Sequence, residues 1–122
     1  MRWLVALACC ASLQAGAHDA DLTEARRYRN GTGVAVDKVR AARLFERAAQ
    51  AGDADAAFTL ANMLRDGEGV PQDGVAAQRW LQRAADAESP EALQELAMAE
   101  PDPARAAQLF KQSAHALTHR IR

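Results

Sequence analysis

The chain has 122 residues, with 15 Lys and Arg against 16 Asp and Glu, 49% hydrophobic and only 5% aromatic residues. That length supports one small domain with one core. The near-balanced charge gives no global field of the kind that draws a protein onto nucleic acid, which excludes DNA and RNA as partners.

The first seventeen residues differ from the rest. Arg2 supplies a positive start, Trp3 to Leu13 is apolar or small, and Ala15-Gly16-Ala17 fits a small-x-small cleavage site. The segment is too short to span a bilayer and reads as a secretory signal peptide, residues 1–17, cut after Ala17. Cys9 is poorly placed for a lipid anchor: six residues separate it from Arg2, and Ala6 stands where a leucine is expected. Cleavage removes Cys9 and Cys10, the only cysteines, so the mature chain from His18 has no disulfide or thiol chemistry. It carries 14 basic and 16 acidic residues and has no further apolar run able to cross a membrane. The expected location is the periplasm or the extracellular medium.

Beyond His18 the sequence repeats. The run from Gly31 through Gly33 and Val34 to Asp37 returns 36 residues later as Gly67, Gly69, Val70 and Asp73. The register holds elsewhere, placing Ala41 on Ala77, Phe45 on Leu81, Ala48-Ala49 on Ala84-Ala85, and Ala25 on Ala61. A third copy starts at Ala92, but its second half, Ala106 to Phe110, lies only 29 residues beyond Ala77 to Leu81. Seven residues, including the Gly-x-Gly loop, are missing there, and Pro101-Asp102-Pro103 makes the connection. The repeats are expected at about 20–55, 56–91 and 92–118 within a domain of residues 18–118, followed by a tail of 119–122.

Each copy predicts two helices. In the second copy, Ala56 to Arg65 lacks Gly and Pro and sets Leu60, Ala61 and Leu64 on one stripe, the period of an amphipathic helix. Gly67 is suited to close that helix in a left-handed conformation, and Asp73 to cap the next one. That second helix, about Val75 to Ala87, turns Trp80, Leu81, Ala84 and Ala85 inward and leaves Gln78, Arg79, Gln82 and Arg83 in water.

A 36-residue helix pair with an Ala-rich first helix, a Gly-x-Gly-Val-x-x-Asp turn and an aromatic or leucine followed by Ala-Ala resembles the Sel-1-like repeat, a relative of the tetratricopeptide repeat. The resemblance covers about Ala20 to Ala116. It implies an all-α fold, a short right-handed α-solenoid of antiparallel helix pairs that acts as an adaptor for proteins or peptides. In some bacterial members it implies contact with cell-envelope components. This sequence departs from the pattern at Glu24, where the other copies have Leu60 and Leu96, at Glu88-Ser89-Pro90 and in the shortened third copy. Glu24 suits an outermost helix that faces water on one side.

The residues with catalytic potential have plainer roles. In Gly31-Thr32-Gly33 and Gly67-Glu68-Gly69 the third glycine of a dinucleotide motif would fall on Val36 and Gln72, and no strand is expected before either loop. His115 and His119 are four apart on one helix face, but nothing nearby in sequence completes a metal site. Ser89 precedes Pro90 as a helix cap, and Ser113 falls at the interface position of Ala48 and Ala84. Asp53, Asp55, Glu88 and Glu91 sit at helix starts, where the dipole favours negative charge. No catalytic residue, metal site or cofactor is therefore expected, and the chain is read as a non-enzyme.

The expected function is that of an exported adaptor or scaffold for a protein or peptide. The alternatives are a periplasmic immunity or inhibitor protein for a secreted toxin, or binding of a cell-wall glycan. No membrane partner is expected after signal cleavage, and a homodimer would add burial to so short an array. Off-core positions of the first helices supply the candidate partner-binding residues: Arg26 and Arg27 in the first copy, Phe58, Asn62 and Met63 in the second, Glu95 and Met98 in the third. Phe58 and Met63 are either the anchors of this groove or packing residues between repeats, since helix direction alone does not separate the two.

Overall fold

The structure, a computed structural model, describes residues 19–121. The segment read as a signal peptide, its expected cleavage site, Cys9, Cys10 and His18 lie outside the described residues. Within them the chain forms six helices and no strand: α1 over residues 19–30, α2 Lys38–Gln50, α3 Ala54–Asp66, α4 Gly74–Asp86, α5 Pro90–Ala99 and α6 Pro103–Ile121. None of these helices is long and apolar enough to cross a membrane.

The turn residues set the boundaries. Asp37, Asp53, Asp73 and Ser89 each cap a helix by accepting a bond from the backbone N–H three residues on. Gly67 closes α3 at φ 70°, ψ 34°, the left-handed cap expected of it. The Asp caps start α3 and α4 slightly earlier than their apolar stripes suggest.

Successive helices pack antiparallel, α2 on α3, α3 on α4, α4 on α5 and α5 on α6. The core is mostly alanine, joined by Leu44, Phe45, Leu60, Met63, Leu81 and Leu93. Ala48 and Ala84 are both fully buried, so the paired alanines do bring helix backbones together. Trp80 turns inward and packs against the core as expected, but is only half-buried, with the Arg83 guanidinium 4.7 Å from its ring centroid. One expectation needs correcting. Met63 is fully buried, because the middle repeat is covered on both sides. Arg27 and Ala99, its equivalents in the outer repeats, are exposed.

The two Gly-x-Gly loops share a backbone but not a setting. Gly33 and Gly69 have φ of 73° and 72°. A Cβ on Gly69 would lie 2.2 Å from the Lys38 carbonyl oxygen, whereas one on Gly33 would meet only the tip of Arg27 at 3.7 Å. The second loop is thus seated against the start of α2, and Glu68 in it pairs with Arg29 of α1 and Lys38.

Candidate functional site

Helices α1, α3 and α5 begin the three repeats and present equivalent positions side by side. Arg26, Asn62 and Met98 occupy one such position; Arg26 and Met98 are exposed and Asn62 is half-buried. One turn earlier stand Leu22, Phe58 and Gln94. Leu22 and Phe58 are half-buried against the core, so Phe58 offers a partner only part of its ring. Met63 is withdrawn from the candidate surface, since a fully buried side chain cannot meet a partner. Arg27 is exposed, and its Nε donates to the Thr32 carbonyl in its own loop at 3.4 Å.

Asn62 and Glu95 are brought together by a residue that the sequence reading passed over. The Arg65 guanidinium donates to the Asn62 side-chain oxygen and to Glu95 Oε1, tying α3 to α5 across this face. Its signal was present: Arg65 stands 36 residues after Arg29, and both are bridging arginines. Arg29 reaches the loop carboxylate Glu68, with Nη2 to Oε2 at 3.2 Å. The third copy has lost the equivalent loop, and Arg65 pairs with α5 itself. Hydrogen bonding from Arg29 holds the Glu68 carboxyl below the usual range against partial burial, and the charges of Arg29 and Lys38 add to this.

A second clamp lies at the opposite ends of these helices. Arg120 of α6 pairs with Asp55 in the first turn of α3 and, at 2.7 Å, with Glu91 in the first turn of α5. Burial pushes the Glu91 carboxyl up, but its backbone hydrogen bond and Arg120 outweigh this and leave it below its ordinary value. Hydrogen bonding to Glu91 raises Arg120 in turn.

The surface depressions are open. One of about 450 Å³ lies between α4 and α6 over Leu93 and Ala116, and another of about 390 Å³ continues from it past Gln108 and Gln112 toward Leu96. Open grooves of this kind suit extended or helical segments better than an enclosed small ligand. The side chains with nucleophilic or metal-binding potential have structural partners. Ser89 Oγ accepts from the Ala92 N–H and donates to Glu91, and Ser113 Oγ donates to the Pro90 carbonyl at 2.9 Å. The His115 and His119 rings meet edge-on with their Nε2 atoms 3.1 Å apart. Among the described residues no group of three or more His, Cys, Asp or Glu side chains gathers to hold a metal ion. Glu88 is not at a helix start but in the loop before α5, at φ 64°, where the previous repeat has Gly52 at φ 99°.

The Sel1 repeat family model matches residues 19–53, 54–89 and 91–116. No curated protein matches the chain. Among solved structures, a Sel1 repeat protein from Oxalobacter formigenes is 23% identical with a TM-score of 0.73, covering 81% of this chain and 44% of its own. A protective antigen present in uropathogenic Escherichia coli strains, displaying an SLR fold, is 26% identical with a TM-score of 0.71, covering 83% of this chain and 23% of its own. Cysteine rich protein B of Helicobacter pylori is 24% identical with a TM-score of 0.60, covering 62% and 56%. The chain therefore spans less than two thirds of each of these proteins.

Proposed function

From the premise that this chain belongs to the Sel1 repeat family, whose repeats generally mediate protein–protein interaction, we propose that it is an exported adaptor holding a protein or peptide on the face formed by α1, α3 and α5. The observation that carries this reading is the ladder of Arg26, Asn62 and Met98. Core positions keep their character from repeat to repeat, with Ala25, Ala61 and Ala97 all buried, while the ladder passes from basic to polar to apolar on accessible ground. Met98 is 76% exposed, an adaptable apolar side chain of the kind partners use. The Arg65 bridge fixes the spacing between α3 and α5 and so presents a preorganised surface. Nothing in this arrangement calls for bond-making chemistry, and the reading is of a non-catalytic scaffold.

Photo-crosslinking residues placed at 26, 62 and 98, with matched controls at the exposed second-helix positions 43 and 79, test the face in the native cell envelope. Crosslinks to one protein from the first set and not the second support the proposal; crosslinks from 43 and 79 alone contradict it. Export rests on the N-terminal segment. It predicts an envelope or medium pool whose first residue is His18; a chain retained in the cytoplasm with Met1 intact contradicts it.

A further inference from the structure

The solvent side of the second helices carries a chemistry in α6 that it lacks in α2 and α4. By repeat register, His115 stands where α2 has Gln50 and α4 has Asp86. Both of those residues are exposed, as are Glu46 and Gln82 one turn before them, although a following repeat packs on their helices. The accessibility of this stripe is therefore a property of the repeat and does not depend on what comes after α6. The helices α2 and α4 end at these positions, whereas α6 runs on to Ile121. The added length places His119 one helical turn beyond His115 on the same exposed stripe.

The two rings converge. Their Nε2 atoms are 3.1 Å apart and their centroids 4.6 Å, with the ring planes at 77°. Two imidazole nitrogens that each lie about 2.0 to 2.1 Å from one ion, at tetrahedral or square-planar angles, stand about 2.8 to 3.4 Å from each other. The pair thus holds its donors at a chelating separation, and small rotations of the exposed rings turn both lone pairs onto one ion. The backbone beneath them is fixed. Arg120, next to His119, ties this turn to Glu91 at 2.7 Å and to Asp55, and its charge is committed to those carboxylates. Donors held in place in this way lose less freedom on binding than two loose side chains.

The surroundings select the ion. His115 borders the depression of about 450 Å³ between α4 and α6, whose charged lining residues are Glu88 and Lys111, one of each sign. Glu88, at φ 64° where the previous repeat has Gly52, brings a carboxylate to that depression and offsets the Lys111 charge there. No third His, Cys, Asp or Glu gathers with the pair among the described residues. The sequence expectation of no metal site stood on that missing ligand, but a two-imidazole chelate needs none from the chain and keeps water at its other positions. Nitrogen donors without an oxygen cage favour zinc, copper or nickel over magnesium and calcium, which take oxygen ligands. We propose that His115 and His119 form a chelating site for a divalent transition-metal ion such as Zn2+, held by the two imidazoles and water.

The probe is Zn2+, titrated calorimetrically against the chain from His18 to Arg122, which contains all six helices, with Mg2+ in parallel. One Zn2+ should bind per chain, and Mg2+ should not bind. His115→Ala and His119→Ala should each weaken Zn2+ binding about tenfold or more, because a lone imidazole loses the second, intramolecular attachment. Thr118→His combined with His119→Thr keeps the composition but breaks the spacing, and should weaken binding as much. Positions 115, 118 and 119 are all exposed, so none of these changes threatens folding. His18→Ala removes the competing imidazole beside the terminal amine and should leave the affinity unchanged. The proposal is overturned by Zn2+ binding that survives His119→Ala or the exchange of 118 and 119, by binding that disappears in His18→Ala, by equal uptake of Mg2+, or by no binding at all.

Discussion

The middle repeat and the two ends of this array occupy the same sequence positions with opposite outcomes. Leu60 is buried, while Glu24 at the same position of α1 is half-exposed; Leu81 is buried, while Phe110 of α6 stands half in water. In a stacked fold the neighbour, as much as the residue, decides what a position contributes. The equivalent face of α1 is polar, with Asp21, Glu24 and Arg27. The corresponding face of α6 is apolar and continues to Ile121.

The largest expected effect that sharpens this comparison lies in the paired loops. Gly69→Ala should destabilise the chain by about 3 kcal/mol, since left-handed strain is joined by a backbone collision with Lys38. Gly33→Ala, with the same φ and open space around it, should cost about 1 kcal/mol from the strain alone. Equal losses in urea denaturation would mean that the second loop is not seated on α2. Next comes Ala84→Leu, which overpacks a fully buried helix contact and should cost about 1 to 3 kcal/mol, as should Ala48→Leu. A variant melting no earlier than the parent would break the assignment of these alanines to the interface.

Smaller effects concern charge and strain. Glu68→Gln should cost about 0.5 to 1 kcal/mol at neutral pH, the ordinary value of a partly exposed ion-pair cluster. Because the folded carboxyl is held below its unfolded value, this contribution is full above the usual carboxylate range. It is lost as pH falls through the lower folded value, so the parent and the variant should converge in acid. A difference that grows toward low pH would reverse the sign and contradict the pairing. Glu88→Gly should raise stability by about 0.5 kcal/mol, the relief at φ 64° exceeding the entropy cost of glycine; thermal denaturation reads this as a small increase in Tm.

Most of the fold was legible because the repeat carries its own punctuation. The Gly-x-Gly loops and the caps at Asp73 and Ser89 fixed the helix pairs, and the alanine pairs fixed which faces meet. The site was less legible. Met63 lies one helical residue from Asn62, and no sequence period states which of the two a neighbouring repeat will cover. Arg65 was readable in principle from Arg29. The pairing of Arg120 with Asp55 and Glu91 was not, since it joins residues 65 and 29 positions apart in a part of the third copy that has no counterpart in the others.

The central claim is that the α6 face is the same interface position as those of α2 and α4, with no helix over it among the described residues. Its most direct test is the pair Leu81→Ala and Phe110→Ala, measured by urea denaturation at several protein concentrations. Leu81→Ala should lose about 3 kcal/mol, the cost of a cavity in a closed interface, and Phe110→Ala about 1 kcal/mol at every concentration. Equal losses, or a Phe110→Ala loss that grows with protein concentration, would mean that the face is already covered and would contradict the account.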